Sequence, residues 1–110
     1  MRNYRGKMEL YRLDPARKKV LRQWCRQPEH RAQVEVVMAE TCDVVLGRYI
    51  LMHVADDWKW AKLEANRIPC SVDTFRVYRA KFYFLLDQAL SRANASKGAE
   101  NNHEEEHLQS

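Results

Sequence analysis

One proline decides where this chain has to turn. The stretch around it reads Ala65-Asn66-Arg67-Ile68-Pro69-Cys70-Ser71-Val72-Asp73-Thr74-Phe75-Arg76. Pro69 lacks a backbone donor and disfavours helical geometry in the residue before it, so a helix from Trp58 to about Arg67 must stop there. Ser71 then offers an N-cap, because its side-chain oxygen can accept a hydrogen bond from a free backbone N–H two or three residues on. A second helix from Ser71 to about Arg92 follows. Ala65 is small enough to let the two helices approach closely, and Ile68 is placed to plug the corner. The layout predicts a helix-turn-helix over residues 58–92.

The rest of the chain is read as helical too. Three Gly and three Pro in 110 residues leave little material for the turns of an all-β fold, and the length suits a single domain. Asp14-Pro15 is a helix start, an Asx cap with Pro at the first helical position. That helix runs to about Gln27, with Val20, Leu21, Trp24 and Cys25 on one stripe. From Pro28, apolar residues at Val34, Val37, Met38, Val44, Val45, Leu46, Tyr49, Ile50, Met52 and Val54 keep helical spacing. Residues 29–55 form one helix or two. Asp43 is an available N-cap and favours a break near Thr41. Asp56-Asp57 are expected to cap the short helix that begins at Trp58. The expectation is an all-α, four to five helix bundle with a C-terminal helix-turn-helix, comprising a basic arm over 1–13, a helical domain over 14–92 and a disordered polar, acidic tail over 93–110.

Charge narrows the choice of partner. The formal net charge is +4, yet the tail from Ala93 sets Lys97 against Glu100, Glu104, Glu105 and Glu106. Residues 1–92 therefore hold 18 basic and 11 acidic side chains, a net of +7. Such a domain suits a polyanion. There is no apolar run of membrane-spanning length and no signal-peptide pattern, so a cytoplasmic protein without a membrane partner is expected. Cys25, Cys42 and Cys70 are odd in number and form no CxxC pair, which reads as reduced core thiols and not as a disulfide or zinc frame.

Tyr49-Ile50, His53-Val54-Ala55-Asp56-Asp57-Trp58, Trp60-Ala61, Ala65, Ile68-Pro69-Cys70-Ser71 and Thr74-Phe75-Arg76-Val77-Tyr78-Arg79 together carry a resemblance. Over roughly residues 44–90 the chain resembles the C-terminal half of the ArpU/RinA-type phage transcriptional regulators. It is also similar to the fourth region of bacterial sigma factors. The resemblance implies a regulator that binds double-stranded DNA to control phage or prophage genes.

Within that reading, Ser71, Asp73, Thr74, Arg76, Arg79 and Lys81 are the candidates for DNA contact. Arg76 is placed for bidentate guanine readout, and Thr74 with the helix N-terminus for a phosphate. Asp73 could accept from cytosine N4 or support the capping turn through the helix dipole. Lys59, Lys62 and Arg67, and the Arg17-Lys18-Lys19 cluster if it faces the same way, would touch phosphates. Trp58 and Trp60 lie two residues apart and cannot share a helix face, so one is expected in the core and the other partly exposed. Two apolar faces on the last helix suggest either a homodimer seam or docking onto the N-terminal helices.

Other chemistry is poorly supported. His103-Glu104-Glu105-Glu106-His107 matches HExxH, but zinc hydrolysis needs a buried helix, a third ligand and a pocket. Asn94-Ala95-Ser96 matches a glycosylation sequon without a secretory context. No phosphate loop, nucleophile–base pair or paired carboxylates stand out, so neither an enzyme nor a cofactor or metal is expected. The competing reading is a helical protein-binding module acting on RNA polymerase, another regulator or a host defence protein.

Overall fold

The computed structural model describes the backbone of residues 10–109 and the side chains of residues 10–93. Among these the chain is all-α, with five α-helices and one 3-10 turn: α1 (Pro15–Cys25), the turn Pro28–His30, α2 (Arg31–Thr41), α3 (Val44–Asp56), α4 (Trp60–Ala65) and α5 (Val72–Gln109).

Local capping chemistry sets several of these boundaries. Asp14 accepts from the Ala16 amide at 3.1 Å and Pro15 opens α1. His30 stacks on Trp24 at 3.8 Å between ring centroids, and its Nδ1 pairs with the Trp24 carbonyl at 2.8 Å, so the turn after α1 is tied down. The open question of one helix or two over 29–55 resolves as two. Cys42 adopts an extended conformation, and Asp43 starts α3 by accepting from the Leu46 amide at 2.8 Å. Buried Thr41 donates its hydroxyl back to the Val37 carbonyl at 2.8 Å, which satisfies it inside the core. α2 and α3 then pack as an antiparallel pair. They meet closely at Gly47, where an added Cβ would stand 3.4 Å from Met38 Cγ.

The core draws on every helix: Leu21 and Cys25 from α1, Val34, Val37 and Met38 from α2, Leu46, Ile50 and Val54 from α3, Leu63 from α4, and Phe75, Phe82, Tyr83 and Leu86 from α5. α1 lies antiparallel to α5. The ion pair between Arg17 and Asp87, at 2.6 Å, marks one end of that contact. The second apolar face of α5 is occupied within the chain. Tyr83 and Leu86 are buried, and Phe84 holds the Tyr11 ring at 5.6 Å. Of the two expectations for that face, docking onto N-terminal residues is the one seen.

Several local readings change. Asp56 ends α3, and Asp57 follows it in the left-handed region at φ 61°, so neither residue caps the short helix. The position before α4 is Lys59, which makes no side-chain cap. Ala65 is exposed and provides no close helix approach, while Leu63 and Ile68 bury the corner. Val20 is half exposed and falls off the α1 stripe. α5 continues to Gln109 where the sequence pattern placed its end near Arg92. The side chains of the expected tail from residue 94 onward, including the HExxH match, lie outside the described residues.

Removing one local cap tests this account of the α2–α3 break. Asp43→Ala should cost about 1 kcal/mol in urea-induced unfolding with an unchanged denaturant slope. No loss of stability would mean that Cys42, and not the cap, sets the break.

Candidate functional site

The turn between α4 and α5 is built by main-chain hydrogen bonds that close the short helix. The Arg67 amide donates to the Glu64 carbonyl at 3.0 Å, and the Ile68 amide reaches back to Leu63 at 3.1 Å. With Arg67 left-handed at φ 66°, this is a Schellman closure, and the apolar contact that accompanies one is supplied by buried Leu63 and Ile68. A cationic β-carbon residue thus stands where glycine is usual. Tyr49 adds an outer tie by donating to the Asn66 carbonyl at 3.0 Å.

α5 starts as its sequence implies. Ser71 Oγ accepts from the Thr74 amide at 3.2 Å, and the Ser71 carbonyl accepts from Phe75 at 3.0 Å. Phe75 points inward and is ringed by aromatic groups. Trp60 lies at 5.2 Å, and the His53 edge at 5.0 Å. This packing turns the opposite side of the first α5 turn outward, leaving Ser71, Asp73 and Arg76 exposed and Thr74 half-buried. Asp73 and Arg76 form a loose i,i+3 pair at 3.8 Å.

The flanking cations are exposed as well, each in its own setting. Lys59 pairs with Asp57 at 3.1 Å. The Lys62 ammonium sits 4.2 Å above the Trp58 ring, and Arg67 occupies the left-handed corner. Both tryptophans are half-buried: Trp60 faces Phe75, while Trp58 lies ahead of α4 and its carbonyl pairs with His53 Nδ1 at 2.7 Å.

Two proposed contact residues stand elsewhere. Arg79 is half-buried over the Phe75 ring at 5.3 Å, with its guanidinium 3.4 Å from His53 Nε2. Lys81 is half-buried and close enough to act on Cys42, on the α2–α3 side, so it does not share the outward face with Asp73 and Arg76. Five residues along a helix turn a side chain well away from its predecessor. The Arg17-Lys18-Lys19 cluster does not face the motif either. Arg17 engages Asp87, about 16 Å along α5 from Arg76. The α1 cations that do reach this end are Arg22 and Arg26, which the sequence reading passed over. Arg26 pairs with Asp57 at 2.7 Å, and Arg22 lies beside the buried Tyr83 hydroxyl.

His53 holds the back of the site. Its Nδ1–H donates to Trp58, so the Nε2 lone pair faces Arg79. Burial lowers its pKa from 6.5, as does the positive charge of Arg79 and Arg26, against the opposing pull of the Trp58 carbonyl and Asp57. The cysteines are free thiols. Burial pushes Cys25 up to about 12 and Cys42 up to about 11, and raises Cys70 as well, which holds all three protonated at neutral pH. Among the described residues no three metal-binding side chains cluster, and no helix is long and apolar enough to cross a membrane.

The chain matches no family model, no curated protein and no solved structure.

The His53 contacts make stability depend on pH in a defined direction. A lowered folded-state pKa means that the unfolded chain takes up its proton first. Stability is therefore full above about pH 6.5 and falls as the pH drops below that value. The melting temperature of the wild type should fall more between about pH 7.5 and 5.5 than that of His53→Gln. Parallel curves would show that His53 is not held neutral by the fold.

Proposed function

We propose that this chain binds double-stranded DNA through the N-terminal turns of α5 and acts as a sequence-specific transcriptional regulator, of the phage or prophage kind its sequence resembles. The observation that carries this reading is the outward face of the corner. An exposed, Ser-capped helix start presents Asp73 and Arg76, and exposed Lys59, Lys62 and Arg67 flank it. α4 and the first turns of α5 form the helix-turn-helix. Arg76 reads a base edge through its two-pronged guanidinium, and the loose pair with Asp73 leaves it free to reorient. Lys59, Lys62 and Arg67 take phosphates, as do Thr74 and the free amides of the first turn. Arg79 and Lys81 are not base readers in this reading. RNA polymerase is a natural second partner for such a regulator.

The alternative, a protein-binding module, is favoured by a different surface. Val44, 77% exposed, stands at the mouth of an apolar groove of about 330 Å³ between α2 and α3, lined also by Met38, Cys42, Gly47 and Leu51, and its neighbour Val45 is 53% exposed.

Fluorescence anisotropy of a labelled random-sequence duplex, titrated at several salt concentrations, separates the two. The wild type should bind with an affinity that falls steeply with salt, and Arg76→Glu should weaken it by about tenfold or more at low salt. A folded wild type that ignores the duplex at low salt would overturn the DNA reading and point to the Val44 groove. Arg67→Gly adds an independent check. It relieves the left-handed strain and should leave the melting temperature unchanged or higher while lowering duplex affinity.

A further inference from the structure

The cations on and around α1 are unequally matched. Arg17 and Arg26 each hold a carboxylate, Asp87 at 2.6 Å and Asp57 at 2.7 Å. Arg31 holds two, Glu35 and Asp56, both at 3.2 Å. Between Arg17 and Arg26 on α1 stands Arg22, and among the described residues it makes no ion pair. Arg79 faces it from α5 and makes none either. Its guanidinium lies 3.4 Å from a neutral ring nitrogen and 5.3 Å from the centre of the Phe75 ring.

Tyr83 brings these two arginines together. It lies one turn after Arg79 on the same face of α5, and the antiparallel register set by the Arg17–Asp87 pair brings Arg22 alongside it. Arg76, three residues before Arg79 on α5, adds a third cation near them, with the loose Asp73 contact to offset it. A half-buried cation gives up hydration, and like charges held close repel. Both effects act on Arg79, whose charge is disfavoured first by burial, favoured by the neighbouring Tyr83 hydroxyl, and disfavoured again by Arg22 and Arg76. Among the described residues no carboxylate answers Arg22 or Arg79.

We infer that Arg22 and Arg79 form a phosphate seat which grips the backbone of the bound duplex on the α1 side of α5, next to the face that carries Arg76. The inference rests on the proposed DNA reading. Forked guanidinium donors suit a phosphodiester, which can accept two parallel hydrogen bonds from each. Arg76 enters the groove from α5, and the seat lies a turn further along the same helix, where a strand bordering that groove would pass. Because α1 contributes Arg22, the helical bundle takes part in binding and is more than a support for the motif.

The test is the salt dependence of duplex binding, with Arg22→Gln as the main variant because Arg22 is exposed and its replacement leaves the core intact. Arg22→Gln should weaken binding to unrelated duplexes alike, by about three- to tenfold at low salt, and lower the slope of log K against log salt by about one. Arg79→Lys keeps the charge but loses the fork, and should weaken binding at an unchanged melting temperature. Arg92→Gln is the control for net charge, since Arg92 is exposed about 20 Å further along α5 than Arg79. Its slope should match the wild type. Wild-type slope and affinity in Arg22→Gln, with Arg76→Glu still defective, would overturn the seat and leave the DNA reading standing. Equal losses in Arg22→Gln and Arg92→Gln would also overturn it, as a general charge effect. Absence of salt-dependent duplex binding by the wild type would remove both.

Discussion

The burial of Phe75 is the constraint on which the rest of the site depends. Its ring is 2% exposed, at the fourth position of α5, and is enclosed by Trp60 from α4, His53 from α3 and the Arg79 guanidinium from its own helix. Each neighbour is fixed in turn: His53 by the Trp58 carbonyl, Trp60 by the Schellman closure that folds Leu63 and Ile68 inward. With Phe75 anchored, the rotation of α5 about its axis is set, and so is the direction in which Asp73 and Arg76 point. A helix start held this firmly meets a partner with little side-chain or backbone ordering left to do, which is the condition under which exposed polar contacts translate into affinity.

The charges divide along the same lines. Carboxylates follow the cations at the outer edges of the bundle, where Arg17, Arg26, Arg31 and Lys59 all find them. They thin out around Arg22, Arg76 and Arg79. Exposed pairs of the first kind contribute little to stability and serve mainly to balance the surface. The unmatched group is different, because half-buried Arg79 keeps its charge against desolvation and against its neighbours. That concentration of uncompensated charge, beside an exposed helix start, is the electrostatic feature that favours a polyanionic partner over an apolar one.

Much of this was legible in the sequence wherever a boundary depends on a single residue and its own neighbours. Asp14-Pro15, Asp43 and Ser71 were readable as caps because an N-cap needs only a short side chain and an amide two or three positions away. Pro69 marked the turn for the same kind of local reason. Left-handed Asp57 and Arg67 were not legible, since neither is the glycine that usually marks a helix end of this kind. The contact between Arg22 and the Arg79 face was hidden as well. Helical periodicity says which residues share a face of one helix, and not how far one helix slides along another. The antiparallel setting of α1 on α5, which sends Arg17 to Asp87 and Arg22 to Tyr83, appears only in the folded chain. The placement of Lys81 beside Cys42 belongs to the same class.

The most direct measurement is a two-dimensional amide and arginine-side-chain NMR titration of the isotope-labelled protein with a short duplex. Perturbations should gather at Lys59, Lys62, Arg67, Ser71, Asp73 and Arg76, with Arg22 and Arg79 joining them on the α1 side, and with little change at Val44, Val45 or Leu51. Perturbations confined to the groove around Val44, or scattered over the cations of the whole surface, would contradict the DNA reading.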